Sequence, residues 1–111
     1  MKNYTYEELK EQVTEFRKAF SNKEEIKDRL RRIADDKHLL EERDIIAIEK
    51  MRLDLVYGID NVKLSYEEIM NEIVNGNVSE EEKSLGHEYI MLSDDIIRLS
   101  NELITIIDTI V

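Results

Sequence analysis

LGHEYIMLSDDIIRLSNELITIIDTIV, residues 85–111, is the stretch that decides the fold. Its apolar residues recur at alternating steps of four and three, which is typical of a helix that packs along its whole length against other helices. A second apolar row runs beside the first, so that the two rows cover about 160° of the helix surface. That width predicts at least two neighbouring helices. The first row consists of Leu85, Tyr89, Leu92, Ile96, Leu99, Leu103, Ile106 and Ile110, and the second of Ile90, Ile97, Ile104 and Val111.

The composition fits a small helical protein. The chain has 111 residues, which is the length of one domain, with 41% hydrophobic and 38% charged residues. Proline is absent and there are only three glycines, so few positions break a helix. There is no cysteine, which excludes disulfides, thiolate nucleophiles and cysteine-bound zinc.

Neither end of the sequence indicates targeting to a membrane. The first ten residues, MKNYTYEELK, have no apolar segment of the kind found in secretory signals. The apolar C-terminal stretch is too short for a membrane span and is interrupted by Arg98, Glu102 and Asp108. We therefore expect a cytoplasmic protein without membrane contact.

Four positions carry the sequence pattern of a capping box, in which a Ser or Thr begins a helix and a Glu three residues later bonds back to it. Two glycines, Gly58 and Gly76, suit the left-handed residue that often closes a helix. Together they predict an all-α bundle of four helices, two long (about 22–57 and 80–110) and two short (about 6–20 and 66–75). The capping pairs are Thr5 with Glu8, Ser21 with Glu24, Ser65 with Glu68, and Ser79 with Glu82.

The middle of the predicted second helix leaves two alternatives open. The segment ADDKHLLEERD, residues 34–44, allows either a kink or break near 34–38 or one continuous helix with a charged middle. If the two long helices are antiparallel, the C-terminal strip lies against Ile26–Ile33. The first helix returns along that same end and the third covers the other end.

The C-terminal strip has a second interpretation. A third helix of ten residues could fail to reverse the chain, in which case part of the strip would close on a second copy or on a partner. This hypothesis predicts a homodimer, or a larger assembly protein, whose interface consists of Ile97, Ile104, Ile107 and Val111.

The formal net charge of −10 is concentrated in the second half, because residues 58–111 carry twelve acidic and three basic side chains. Such a field repels nucleic acid and anionic membranes and favours a protein partner with a basic surface. The leading hypothesis is a non-catalytic interaction protein, such as a phage or mobile-element inhibitor that imitates nucleic-acid phosphates. Charge needed only for solubility is the alternative. The candidate contact residues are Asp60, Glu67, Glu68, Glu72, Glu80, Glu81, Glu82, Glu88, Asp94 and Asp95.

Two carboxylate sets near the start, EELKE at 7–11 and EEIKD at 24–28, raise a metal-site hypothesis. They resemble the magnesium-binding pattern of the MazG-type nucleoside-triphosphate pyrophosphohydrolases, an all-α family, over residues 7–28 only. The pattern departs from the family at Lys10 and Lys27, where the family usually has Gly. On helical spacing, the carboxylates point away from the apolar stripes, which favours a solvent-facing role and no cofactor. The resemblance implies, as ligands, Glu7, Glu8, Glu11, Glu25 and Asp28.

Overall fold

The computed structural model describes residues 4–111, which fold into three long α-helices, with α2 antiparallel to both α1 and α3. Helix α1 spans Tyr6–Asp35, α2 spans Glu42–Asn75 and α3 spans Glu80–Ile110. A single 3-10 turn, Lys37–Leu39, lies between α1 and α2. The all-α class is confirmed, whereas the prediction of four helices is wrong. The bundle is a rod of 56 × 19 × 17 Å.

Two of the four predicted capping boxes begin helices. The Thr5 hydroxyl accepts a hydrogen bond from the backbone N–H of Glu8 at 3.1 Å, which starts α1. The Ser79 hydroxyl accepts one from the backbone N–H of Glu82, also at 3.1 Å, which starts α3. The predicted bounds of the C-terminal helix, about 80–110, are confirmed.

Helix α1 continues through Ser21 and Asn22, where the sequence had predicted a boundary between two helices. The buried stripe of Leu9 and Val13 repeats every seven residues and reaches Leu30 after three repeats. Lysines occupy two of the intervening stripe positions, 23 and 27, and both are half-buried. A lysine can lay its apolar stem along a core while its ammonium group stays in water. The buried stripe of α1 is therefore continuous, although the two lysines look like an interruption in the sequence.

Helix α2 likewise continues through Gly58 and Ser65, because one apolar row crosses both positions. The separate helix predicted for residues 66–75 is therefore the last part of α2. Gly76 does end α2, but with an extended backbone at φ −91°. No glycine of the structure has a positive φ, so the left-handed ending was wrong. The row consists of Leu55, Ile59, Val62, Tyr66, Ile69 and Ile73.

The chain reverses at residues 36–41, which decides between the two alternatives for the charged segment in favour of a break. The N–H of Asp36 bonds back to the carbonyls of Arg32 and Ile33, and this closes α1. The Asp44 carboxylate accepts from the backbone N–H of Glu41 at 3.0 Å, which fixes the start of α2.

Helix α3 is the central element, because it packs along both α1 and α2 while those two helices approach each other closely at few points. This confirms the expectation of two neighbours. At one end of the rod, Leu30 and Ile48 pack on Leu103 and Ile107. The predicted contact between the C-terminal strip and Ile26–Ile33 is therefore present. The predicted antiparallel direction is wrong, because these residues lie on α1, which runs parallel to α3.

A second core lies at the other end of the rod. It is formed by the start of α1, the end of α2 and the start of α3, with Phe16 stacked on Tyr89 at a ring-centroid distance of 4.8 Å. The expectation that the first helix returns along the C-terminal end is wrong, because α1 runs unbroken over the full length of the bundle. The buried residues of this core are Leu9, Val13, Ile69, Ile73, Tyr89 and Ile90.

Between the two cores, α1 and α2 leave an apolar groove of about 220 Å³ above α3. Its floor includes Ile96 and Ser100 of α3. Gly58 of α2 lines one wall, and a β-carbon added there would meet nothing within 4 Å. The middle of the bundle is thus packed less fully than either end.

Candidate functional site

The antiparallel arrangement gathers the acidic residues at one end of the rod. This acidic end, as we call it, consists of residues 4–20, 58–75 and 80–95. Residues 58–95 contain all ten predicted contact carboxylates but only two basic side chains, Lys63 and Lys83. By contrast, residues 21–57, which form much of the other end, carry ten acidic and nine basic side chains. The rod is therefore strongly asymmetric in charge.

The ten carboxylates differ in exposure. Glu72 is only 8% exposed and belongs to the core-facing side of α2, so its assignment to a contact surface is corrected. Three others are half-buried: Glu82, Glu88 and Asp95. The six exposed ones are Asp60, Glu67, Glu68, Glu80, Glu81 and Asp94.

Several of these carboxylates already have partners within the chain. Tyr4 donates its hydroxyl hydrogen to Glu68 at 3.0 Å. Glu88 forms an ion pair with Arg17, and Asp95 forms one with Arg98 at 3.2 Å. Glu82 accepts from the backbone of Ser79 in the capping box. The remaining exposed carboxylates form no hydrogen bond or ion pair with another side chain of residues 4–111, and they are Asp60, Glu67, Glu80, Glu81 and Asp94.

A shallow depression lies between the start of α1 and the start of α3. It has a volume of about 430 Å³ and combines an aromatic ring, an aliphatic side chain and three carboxylates. Two of its carboxylates lie in the first turn of α3, where the helix dipole favours acidic residues, and the third lies two turns further on. The lining residues are Tyr6, Glu80, Glu81, Ser84, Leu85 and Glu88.

The first turns of α1 add three exposed carboxylates to the acidic end: Glu7, Glu8 and Glu11. The sequence pattern had placed these three residues in the metal-site hypothesis. Their position at the acidic end could not be predicted, because it depends on how α1 packs. The five implied ligands lie on one continuous helix rather than on two successive helices. Glu11 and Glu25 are 14 residues apart, which is about 21 Å along the helix. Among residues 4–111, no group of three or more His, Asp or Glu side chains is placed to hold a metal ion.

The interface predicted on the C-terminal helix is also corrected. Ile107 of α3 is fully buried in the core that α3 forms with α1 and α2, and Ile104 is partly buried against the same core. Ile97 is half-buried, and only Val111 is markedly exposed, at 45%. The C-terminal strip is therefore mostly core. The large exposed apolar side chains lie mainly on α2 instead.

Three shifted pKa values reflect the packing of the helices. Burial, together with the hydrogen bond to Glu68, raises the pKa of Tyr4. Burial also raises the pKa of Tyr89. The hydrogen bond from Lys27 lowers the pKa of Glu102 and ties α1 to α3. The first two groups anchor the acidic end, and the third anchors the opposite end.

No helix within residues 4–111 is long and apolar enough to cross a membrane. Comparisons of the chain with protein-family models, with curated proteins and with solved structures found no match.

Proposed function

We propose that this protein is a non-catalytic helical interaction protein whose acidic end docks on a basic surface of a partner protein. The observation that carries the proposal is the concentration, in the acidic end, of five exposed carboxylates that form no hydrogen bond or ion pair with another side chain of residues 4–111. A basic groove attracts such an array over several ångströms and orients the approaching partner.

The depression at the acidic end suits an arginine or lysine side chain. Glu80 and Glu81 can accept hydrogen bonds from a guanidinium group, while the ring of Tyr6 offers an apolar face to the stem. Arg17 already forms an ion pair with Glu88 at the edge of this depression, which is an internal example of the same chemistry.

The most concrete form of the proposal is a small inhibitor that occupies the nucleic-acid groove of another enzyme. Grooves that bind nucleic acid are lined with Lys and Arg that contact phosphates. Exposed carboxylates on a rigid helical rod could occupy those contacts without being cleaved. Nucleic acid should then compete with this protein for the enzyme.

The proposal can be tested by neutralising two carboxylates of the depression, in the variant Glu80→Gln/Glu81→Gln. The control is Glu24→Gln/Glu25→Gln, which removes the same charge from an exposed pair on α1 outside the acidic end. The measurement is the affinity of each variant for a labelled arginine-rich peptide, by fluorescence anisotropy at 50 and 500 mM salt. Circular dichroism would check that both variants remain helical.

We expect the Glu80/Glu81 variant to lose about tenfold in affinity and the control to lose far less, because an ordered contact depends on position as well as charge. Binding should weaken strongly at the higher salt concentration. Equal losses in the two variants would mean that the peptide senses only net charge, and the docking site would then be rejected.

A further inference from the structure

Helix α2 carries an apolar stripe on its outer face, opposite the core. The stripe consists of Ile46, Leu53, Tyr57 and Leu64, which are 58%, 56%, 66% and 62% exposed. We call it the outer stripe. The opposite side of α2 packs on α3 through residues such as Leu55 and Ile69. Helix α2 is therefore apolar on two faces but covered on only one.

The outer stripe is straight. At 100° per residue its four members fall within about 20° of one line on the helix surface, and it extends over about 27 Å. A helix that is apolar on two opposite faces is normally buried on both. Exposed polar residues lie between its members, at positions 49, 50, 60 and 61, so the row is apolar but not contiguous. The largest exposed apolar patch of a monomer, on the order of 300–600 Å², is often functional, which makes this row a candidate interaction surface.

The spacing of the outer stripe matches a second copy of itself. Its steps are seven, four and seven residues, so the pattern reads the same in both directions about residue 55. When two such helices pack antiparallel around a two-fold axis at that point, Ile46 faces Leu64 of the second copy and Leu53 faces Tyr57 of the second copy. A two-fold interface requires this kind of self-complementary surface.

We infer that the protein forms an antiparallel homodimer through the outer stripe of α2. This inference does not depend on the proposed function, because the outer stripe and the depression of the acidic end are separate surfaces.

Charge supports the antiparallel direction. In this arrangement the acidic end of each copy lies beside the nearly neutral end of the other, whereas a parallel dimer would place both acidic ends side by side. On one flank of the stripe, Arg43 comes level with Glu68 of the second copy and Lys50 with Asn61 of the second copy. Arg43 and Glu68 are both exposed. Each pair occurs twice in the dimer.

The other flank limits the affinity. There Glu49 comes level with Asp60 of the second copy and Glu42 with Glu67 of the second copy, and these like charges face each other at the solvent edge. Two patches of a few hundred Å² also reach only the lower limit of about 1,000 Å² for a specific interface. We therefore expect a dissociation constant on the order of 10–100 µM.

The first experiment measures the solution mass by sedimentation equilibrium over a range of concentrations. The variant Leu53→Glu places a charge at the centre of the stripe and should raise the dissociation constant at least about tenfold. The control is Met91→Glu, at an apolar residue of α3 that is 68% exposed and lies outside the stripe. This control should associate like the wild type. A wild type that stays monomeric above about 1 mM, roughly ten times the upper end of the expected dissociation constant, would overturn the inference. So would a Leu53→Glu variant that associates as strongly as the wild type.

The second experiment tests direction and uses the absence of cysteine from the chain. We expect Ile46→Cys and Leu64→Cys proteins to form a disulfide when mixed under mild oxidation, because the two positions face each other. Each variant alone should remain uncrosslinked, since position 46 of the two copies would lie about 27 Å apart, well beyond disulfide reach. Efficient crosslinking of Ile46→Cys alone would indicate a parallel pair and overturn the antiparallel dimer.

Discussion

The two glycines inside helices, Gly58 and Gly86, lie in opposite packing environments. A β-carbon at Gly58 would project into the open groove, whereas one at Gly86 would overlap the Cδ1 atom of Ile73 in the core. Glycine in a helix interior costs roughly 0.5–1 kcal/mol relative to alanine, so only the close packing of α3 on α2 accounts for Gly86.

We predict that Gly58→Ala raises the free energy of unfolding by about 0.5–1 kcal/mol, because alanine has the higher helix propensity and the added β-carbon displaces no neighbouring atom. Gly86→Ala should lower it by about 1–2 kcal/mol, since the overpacking outweighs the same helical gain. Urea unfolding followed by circular dichroism measures both.

A matched double variant separates these causes. Ile73→Val removes the methyl group that the new β-carbon would overlap, so Gly86→Ala should cost less in that background. An unchanged cost would show that the loss at position 86 has another origin.

Among the elements, α3 could be predicted from the sequence to within a residue or two, because its apolar repeat is unbroken and its capping box is real. Helices α1 and α2 could not, because Ser-x-x-Glu looks the same inside a helix as at its start. Lys23 and Lys27 also concealed the stripe that joins the two halves of α1. The concentration of acidic residues in the second half could be predicted from the sequence, but the burial of Glu72 could not, because it depends on how α2 packs on α3.

The two serines of the capping patterns give a direct test of these helix boundaries. Ser79 caps α3. Ser79→Ala should therefore lower the free energy of unfolding by about 1 kcal/mol. Ser21 lies exposed inside α1, so Ser21→Ala should be neutral or slightly stabilising, since alanine is the better helix former. Thermal unfolding of both variants measures the difference. A comparable loss for Ser21→Ala would place a helix start at that residue.

For the whole molecule, the concentration of negative charge at one end implies that folding brings like charges together. The ion pairs that link the helices, such as Arg52 with Asp108 at 2.8 Å, are partly exposed and contribute little each. Repulsion at the acidic end therefore dominates the response to salt.

We predict that raising NaCl from 0.1 to 1 M, which shortens the screening length from about 10 Å to about 3 Å, increases the urea midpoint. The variant Glu67→Gln/Asp94→Asn removes two exposed charges from the acidic end and should show a smaller increase. A midpoint that falls with salt would mean that the ion pairs outweigh the repulsion.

The central position of α3 also determines how substitutions combine. Because α1 and α2 approach each other closely at few points, a change on the α3-facing side of one helix reaches the other mainly through α3. Pairs of substitutions divided between α1 and α2 should therefore have nearly additive effects on stability, whereas pairs that include a residue of α3 should be coupled. Sequence variation would then be most constrained in α3, while α1 and α2 could diverge almost independently of each other.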